Sequence, residues 1–386
     1  MKNVIVPVSF LFISLFGCSE KNPKTLFELR TGNKTGVLFN NRIVETDSAN
    51  ILTEEYIFNG GGVAVADFNN DILPDLFFSG NQVSNKLYLN KGDFSFQDIS
   101  ENAGIEAADR WCTGMTVVDI NNDGWLDVYV CAAREKELAK RQNLLFVNQG
   151  LDSKGVPKFK EMAKEYGIAE QGNSMGAAFF DYDKDGYLDL YVLNNEQVHV
   201  LPTNYREKVT DGSAVSNDRL YHNNGDGTFS DVTLTAGITI EGFGLGIAVS
   251  DLNYDGWPDV YITNDYLTND LLYINNGDGT FSNKIEEYVK HQSKFAMGSD
   301  IADFNNDGYL DIITLDMLGE TNYRMKTTIM GHSYFNNVLN KRWGYQDQYM
   351  RNMLQLGNGS DIPFSEIGLF SGIAKTDWSW SPLFVD

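Results

Sequence analysis

The stretch Asp181-Tyr182-Asp183-Lys184-Asp185-Gly186-Tyr187-Leu188-Asp189 carries carboxylates at its first, third, fifth and ninth positions and glycine at its sixth. Oxygen side chains at positions one, three and five of a tight turn converge on one point. Glycine at six permits the sharp reversal, and a hard cation with many oxygen ligands, usually calcium, fits the point. The same pattern is written at Asp67/Asn69/Asp71/Asp75, Asp119/Asn121/Asp123/Asp127, Asp251/Asn253/Asp255/Asp259 and Asp303/Asn305/Asp307/Asp311. A motif returning every roughly 50 to 80 residues describes an array of similar units, which sets the fold before any detail is read.

In each loop the side chains at positions one, three, five and nine are expected to bind the ion. The backbone carbonyl at position seven would add a ligand, from Leu73, Trp125, Tyr187, Trp257 and Tyr309 in turn. Acidic Asx-turns could hold themselves by hydrogen bonds alone. Three or four carboxylates within a few ångströms nevertheless repel strongly without a cation. Magnesium prefers fewer protein ligands and keeps its waters, so calcium is the expected cofactor, at about five structural sites. The third loop has Asp183 where the others have Asn, and should bind most tightly. The first has Ile72 where glycine belongs, and should bind most weakly or take a different turn.

Around each loop the sequence reads as four strands. A Gly-rich apolar run such as Gly244-Leu245-Gly246-Ile247-Ala248-Val249 precedes it, and a run such as Leu188-Asp189-Leu190-Tyr191-Val192 follows. A third strand, as in Asp218-Arg219-Leu220-Tyr221-His222-Asn223, ends in a tight Asn224-Gly225-Asp226-Gly227 turn. The fourth, Thr228 to Val232, closes with Ala236-Gly237-Ile238. A four-stranded antiparallel sheet exposes two apolar faces, and radial packing of such sheets buries them. The expected fold class is all-β, a β-propeller of four-stranded blades.

The chain has 386 residues and a net charge of -23, which argues against nucleic acid and anionic lipid as partners. Its 19 Tyr and 24 Phe suit a β-rich globular protein rather than an acidic disordered one. Val4 to Phe16 is a short apolar core behind Lys2, too short for a finished membrane helix. Leu15-Phe16-Gly17-Cys18 resembles a bacterial lipobox, with Phe16 bulkier than usual there. Residues 1–18 are therefore expected to be a lipoprotein signal peptide, with Cys18 lipidated and residues 19–25 a short tether. That resemblance, with Ser19 after Cys18, implies the outer membrane or cell surface, with plain secretion as the alternative. The lipid would be the only link to a membrane. Cys112 and Cys131 flank the second loop, either as a disulfide or, as favoured here, as two buried thiols.

The repeat unit resembles the FG-GAP/VCBS repeats of integrin-α-like propellers. The pattern from Phe58-Asn59-Gly60-Gly61-Gly62 to Trp378-Ser379-Trp380-Ser381-Pro382 looks like the cartilage-acidic-protein-related branch of bacterial lipoproteins. The resemblance implies seven blades in a complete protein, of which residues 26–386 hold about five and a half. Leu26-Phe27-Glu28-Leu29-Arg30 with Lys34-Thr35-Gly36-Val37 looks like the end of one unit. Trp378 to Val385 looks like the start of another, with Asp386 as the first ligand of its loop. The domain is thus expected to be incomplete at its C-terminus. Longer relatives often continue into an ASPIC/UnbV-type region.

Insertions fall between the second and third strands of each unit, and so on one face of the disc. The longest, Asp316 to Arg351, mixes aromatics with cations. Tyr323, Arg324, His332, Tyr334, Arg342, Trp343 and Tyr345 are candidate ligand-binding residues, with a lid that buries its own aromatics as the alternative. No His-Glu-x-x-His, Gly-x-Ser-x-Gly or phosphate-cradling loop occurs. His222 reads as a surface residue rather than a base. The expected function is non-catalytic capture of a glycan or protein. The alternatives are an extracellular polysaccharide lyase or hydrolase, or a scaffold for a C-terminal region.

Overall fold

The computed structural model describes residues 26–47, 49–195, 206–328, 334–360 and 362–385. The leader, the tether, Cys18, His199, His332 and Asp386 lie outside the described residues.

Five four-stranded sheets follow one another along the chain. The first contains β1 (Val63–Ala66), β2 (Asp75–Phe78), β3 (Lys86–Asn90) and β4 (Phe96–Asp98). The second contains β5 (Trp111–Val118), β6 (Asp127–Ala133), β7 (Leu144–Leu151) and β8 (Pro157–Glu161). The third contains β9 (Ser174–Phe180), β10 (Asp189–Asn194), β11 (Arg219–Asn223) and β12 (Phe229–Asp231). The fourth contains β13 (Gly244–Ser250), β14 (Asp259–Asn264), β15 (Leu271–Asn275) and β16 (Phe281–Asn283). After the two-residue β17 (Gln292–Ser293), the fifth contains β18 (Ser299–Ala302), β19 (Asp311–Thr314), β21 (Met353–Leu356) and β22 (Ser365–Glu366). The short β20 (Gln348–Tyr349) pairs in parallel with β17. Within every four-stranded sheet sequence neighbours are spatial neighbours, and each ladder is antiparallel, as in β9–β10–β11–β12.

The sheets are arranged as blades. β1 lies against β5, β5 against β9, β9 against β13, and β13 against β18, so the first strands surround a common axis. Close approach there requires small residues. A Cβ on Gly114 would meet the Met175 carbonyl at 2.4 Å. The apolar core lies between blades. Phe77 and Leu87 of the first pack with Val128, Phe146 and Phe159 of the second. Tyr191 and Leu220 of the third pack with Val260 and Tyr273 of the fourth. One blade therefore has no complete core of its own, the reason the fold is an array. The molecule is nearly all-β and propeller-like.

Short helical turns join blades: α1 (Gly32–Thr35), α2 (Ser100–Ala103), α3 (Ala163–Tyr166) and α4 (Ile285–Tyr288). α1 ends on Gly36 at φ 84°, as α2 ends on Gly104 at φ 79°. Lys34 to Val37 thus has the unit-ending conformation expected of it. Leu26 to Arg30 does not form the expected strand. It is exposed, and no described strand offers it a ladder. Trp378 to Val385 also lacks a ladder, but it runs beside β18: the Phe384 N–H donates to Asp300 at 2.6 Å, and the Trp380 carbonyl abuts Gly298. Cys112 and Cys131 are free and fully buried, and burial pushes the Cys112 thiol up to about 12.

Candidate cation loops and the insertion face

All five acidic loops share one conformation. The position-four residues Asn70, Asn122, Lys184, Tyr254 and Asn306 have φ between 55° and 64°. At position six, Gly124, Gly186, Gly256 and Gly308 have φ from 84° to 93°. Ile72 takes φ 74°, so the first loop keeps the common turn despite its branched side chain. Asn, which tolerates the left-handed region, fills position four in three loops and is a partial signal, whereas Lys184 and Tyr254 give none.

The position-one carboxylate organises the turn. Asp119 accepts the N–H of Asp123 at 3.0 Å and of Gly124 at 2.9 Å, and Asp67, Asp181, Asp251 and Asp303 accept the matching pairs. Position five in turn accepts the N–H of position seven: Asp71 from Leu73, Asp123 from Trp125, Asp185 from Tyr187, Asp255 from Trp257 and Asp307 from Tyr309. The aromatic side chains at position seven also pack on the glycine of the next hairpin, Trp257 on Gly277 and Tyr187 on Gly225.

Position nine joins the loop to the blade. Asp127 is fully buried and accepts from Ile120 N–H at 3.0 Å and Asn148 N–H at 2.7 Å. Asp75, Asp189, Asp259 and Asp311 are buried in the same way and accept the equivalent pairs. Burial pushes Asp75 and Asp127 up to about 6 and Asp259 up to about 7, with repulsion from the other loop carboxylates adding to the rise. Burial raises Asp189 and Asp311 for the same reason.

Position three separates the third loop from the others. Asn69, Asn121, Asn253 and Asn305 each donate a side-chain amide N–H to the position-five carboxylate at 2.8–2.9 Å. Asp183 has no such proton to offer, and its carboxyl is raised by burial and by Asp185. Ligand atoms of Asp181, Asp183 and Asp189 lie within 4.8 Å of one another, as do those of Asp183, Asp185 and His222. His222, expected as a surface residue, is half-buried. It faces the third loop, 3.3 Å from both Asp183 and Asp189, with its ring edge-on to Tyr182. Its place one residue before the position-nine staple was the missed signal.

The insertions gather on the opposite face. α5 (Asn322–Thr328) and α6 (Tyr334–Arg342) belong to the longest of them. The structure divides the candidate ligand-binding residues. Tyr323, Tyr334 and Arg342 are exposed. Arg324 is engaged by Asp377 through two bonds of 2.7 Å. Tyr345 is buried with Phe243 and Leu267, Trp343 packs on them, and the Tyr345 hydroxyl donates to Glu241 at 3.2 Å. Tyr345 and Trp343 thus anchor the insertion, as a lid would. Beside Tyr334, a cavity of about 480 Å³ is lined by Lys294, Asn337, Asn340, Gln348 and Arg351.

This face has its own repeated staple. Asn85, Asn143, Asp218, Asp270 and Asn352 precede the third strands and accept the N–H of Gly80, Ala132, Asn194, Asn264 and Asp316. In the third and fourth blades the acid also accepts a buried hydroxyl, Tyr191 to Asp218 and Tyr261 to Asp270, each at 2.9 Å.

The FG-GAP-like repeat family matches residues 67–130, 209–262 and 251–314, each containing at least one acidic loop. Cartilage acidic protein 1 of Xenopus tropicalis is 25% identical over 205 residues, 53% of this chain and 28% of that protein. The human protein of that name is 22% identical over 225 residues, 58% of this chain and 31% of its own length. The chain thus spans about a third or less of the curated relatives it matches. A solved Agrocybe aegerita lectin, described as recognising non-reducing terminal N-acetylglucosamine, has 17% identity and a TM-score of 0.42, covering 78% of this chain and 64% of its own.

Proposed function

We propose that this FG-GAP repeat protein is a calcium-binding, non-catalytic module that captures a glycan or protein ligand at the bacterial cell surface, anchored through a lipid on Cys18. The observation that carries the calcium reading is the repeated loop. Five turns of one conformation each carry carboxylates at positions one, five and nine, with an Asn or Asp at position three. The donor set is oxygen-rich and suits a hard divalent ion. In the first loop Asn69 Oδ1 is buried without a hydrogen-bond partner, an acceptor suited to a cation. The position-nine carboxyls are raised by burial, with repulsion from the other loop acids adding to the rise. When bound, calcium would neutralise this acid and tie the loop to the second and third strands.

Ligand capture is assigned to the insertion face. Tyr323, Tyr334 and Arg342 are exposed there, and Tyr334 helps to line the cavity. Aromatic and cationic groups of this kind suit sugar rings and polar polymers. Two measurements test the proposal. Calorimetric titration should find several calcium sites, the third loop tightest and the first weakest. A glycan array probed with wild type and with Tyr334→Ala should show binding that the substitution weakens. Calcium uptake at none of the loops would sink the metal reading. Release of unsaturated sugars from a polysaccharide panel would replace capture with catalysis.

A further inference from the structure

The cavity beside α6 departs from the character of the chain. The protein carries 53 acidic residues against 30 Lys and Arg. The lining of this cavity holds Lys294 and Arg351, five side-chain amides, two tyrosines and no Asp or Glu. One side is α6. The other is the segment from Gln346 to Arg351, which the pairing of β20 with β17 holds in place. Lys294 Nζ makes no hydrogen bond or ion pair among the described residues, and it stands 5.6 Å from the Phe295 ring. Burial lowers its ammonium, with buried Asp316 and Asp265 offsetting part of the fall. Arg351 gives Nη2 to Glu366 at 2.7 Å, while its Nη1 is shielded and has no partner. Gln348 spends Nε2 on the Thr268 carbonyl at 2.8 Å and leaves Oε1 without a donor. Asn340, buried on α6, leaves Oδ1 without one as well.

Each of these groups has a chemical complement. Two cations in a lining without carboxylates favour an anion, and a planar guanidinium favours a carboxylate. Amide oxygens that lack donors favour hydroxyl groups. Tyr334 and Tyr349, which also line the cavity, are exposed, and their rings offer flat faces to a sugar ring. The volume of about 480 Å³ is that of a small-ligand site. A carboxylated sugar brings the three features together: an anion, several hydroxyls and a ring with an apolar face. A free carboxylate brings the first alone, and an acidic peptide has few hydroxyls. We propose that the cavity between α6 and β20 binds a uronate unit of an acidic glycan, with Lys294 and Arg351 meeting its carboxylate and Asn340 and Gln348 its hydroxyls. The inference rests on the assignment of ligand capture to this face and names the chemistry of the ligand.

Defined oligosaccharides separate charge from shape. Calorimetric titration of the full chain, in calcium and at fixed ionic strength, compares tetramers of galacturonate, glucuronate and mannuronate with their methyl esters and with the neutral galactose, glucose and mannose tetramers. The variants are Lys294→Gln and Arg351→Lys, the second of which keeps a cation beside Glu366 but loses the fork. At least one uronate tetramer should bind wild type about 10-fold or more tightly than its ester and its neutral counterpart, the size expected of a charge-assisted hydrogen bond. Both variants should lose most of that preference and keep the wild-type affinity for neutral tetramers. Circular dichroism identifies the folded variants, either of which decides, and the ester comparison in wild type needs neither. Equal affinity for every uronate and its ester, or a preference that survives in the folded variants, overturns the assignment while leaving capture at this face standing. Binding of none of the tetramers overturns it together with the glycan reading of the face.

Discussion

Each blade is pinned at both ends by a buried Asx side chain, and the two ends solve the same problem differently. On the loop face, position nine is always Asp, and it accepts backbone N–H groups from both sides. On the insertion face the staple is Asn in three blades and Asp in two, and a tyrosine hydroxyl or further backbone completes it. A neutral amide serves where hydrogen bonds are all that is required. A carboxylate kept in all five blades, among other carboxylates, suits a partner that carries positive charge. On the proposed reading, the loop end of the blade depends on a cation and the insertion end does not.

The largest expected effect breaks only the loop face. Chelation with EDTA should lower the melting temperature by about 10 °C or more, since ligands that bind only the folded state each add stability. Calorimetry with and without added calcium measures it, and an unchanged curve would count against structural ions. Next in size, Asp127→Ala strands the Ile120 and Asn148 N–H groups and should cost about 3 kcal/mol in calcium. Asn143→Ala, its counterpart on the insertion face, should cost a similar amount. The distinguishing readout is calcium dependence. The penalty for Asp127→Ala should shrink in EDTA, and that for Asn143→Ala should not.

A third test addresses the insertion face by pH. Burial pushes Asp218 and Asp270 up to about 7, against an unfolded value of about 3.9. Between those values the folded state holds more protons than the unfolded chain. The stability these groups contribute is therefore complete below about pH 4 and is lost as pH rises through about 7. Asp218→Asn copies the amide used by the first, second and fifth blades. It should match wild type near pH 4 and be more stable by about 1–2 kcal/mol at pH 8, measured by urea unfolding. A substitution that destabilised equally at both pH values would contradict the assignment. The smallest effect is Ile72→Gly, which removes a branched side chain from φ 74°. It should add roughly 0.5–1 kcal/mol and tighten the first loop's calcium site, read by the same calorimetry.

Much of this was legible in the sequence because its signals are local. A nine-residue acidic loop with strand-like flanks carries its own turn chemistry, and Asn-Gly-Asp-Gly carries its hairpin. Repetition then implied blades, and the register of the insertions placed them on one face. Leu26 to Arg30 shows the limit. Strand-like composition does not make a strand without a partner ladder, and the described chain supplies none. Trp343 and Tyr345 show another, since an aromatic available for ligand and one spent on anchoring a lid look alike until Phe243 and Leu267 are seen beneath them.

By itself the sequence determined the blade: its four strands and its acidic turn, since these follow from residues within one unit. The tertiary structure alone decided what meets across units and across strands. It brought first strands together around an axis, buried one candidate tyrosine while exposing others, and set His222 against Asp183 and Asp189. The physical reason is distance along the chain: a turn is written by neighbours in sequence, whereas burial and convergence depend on residues tens of positions apart that only packing makes adjacent.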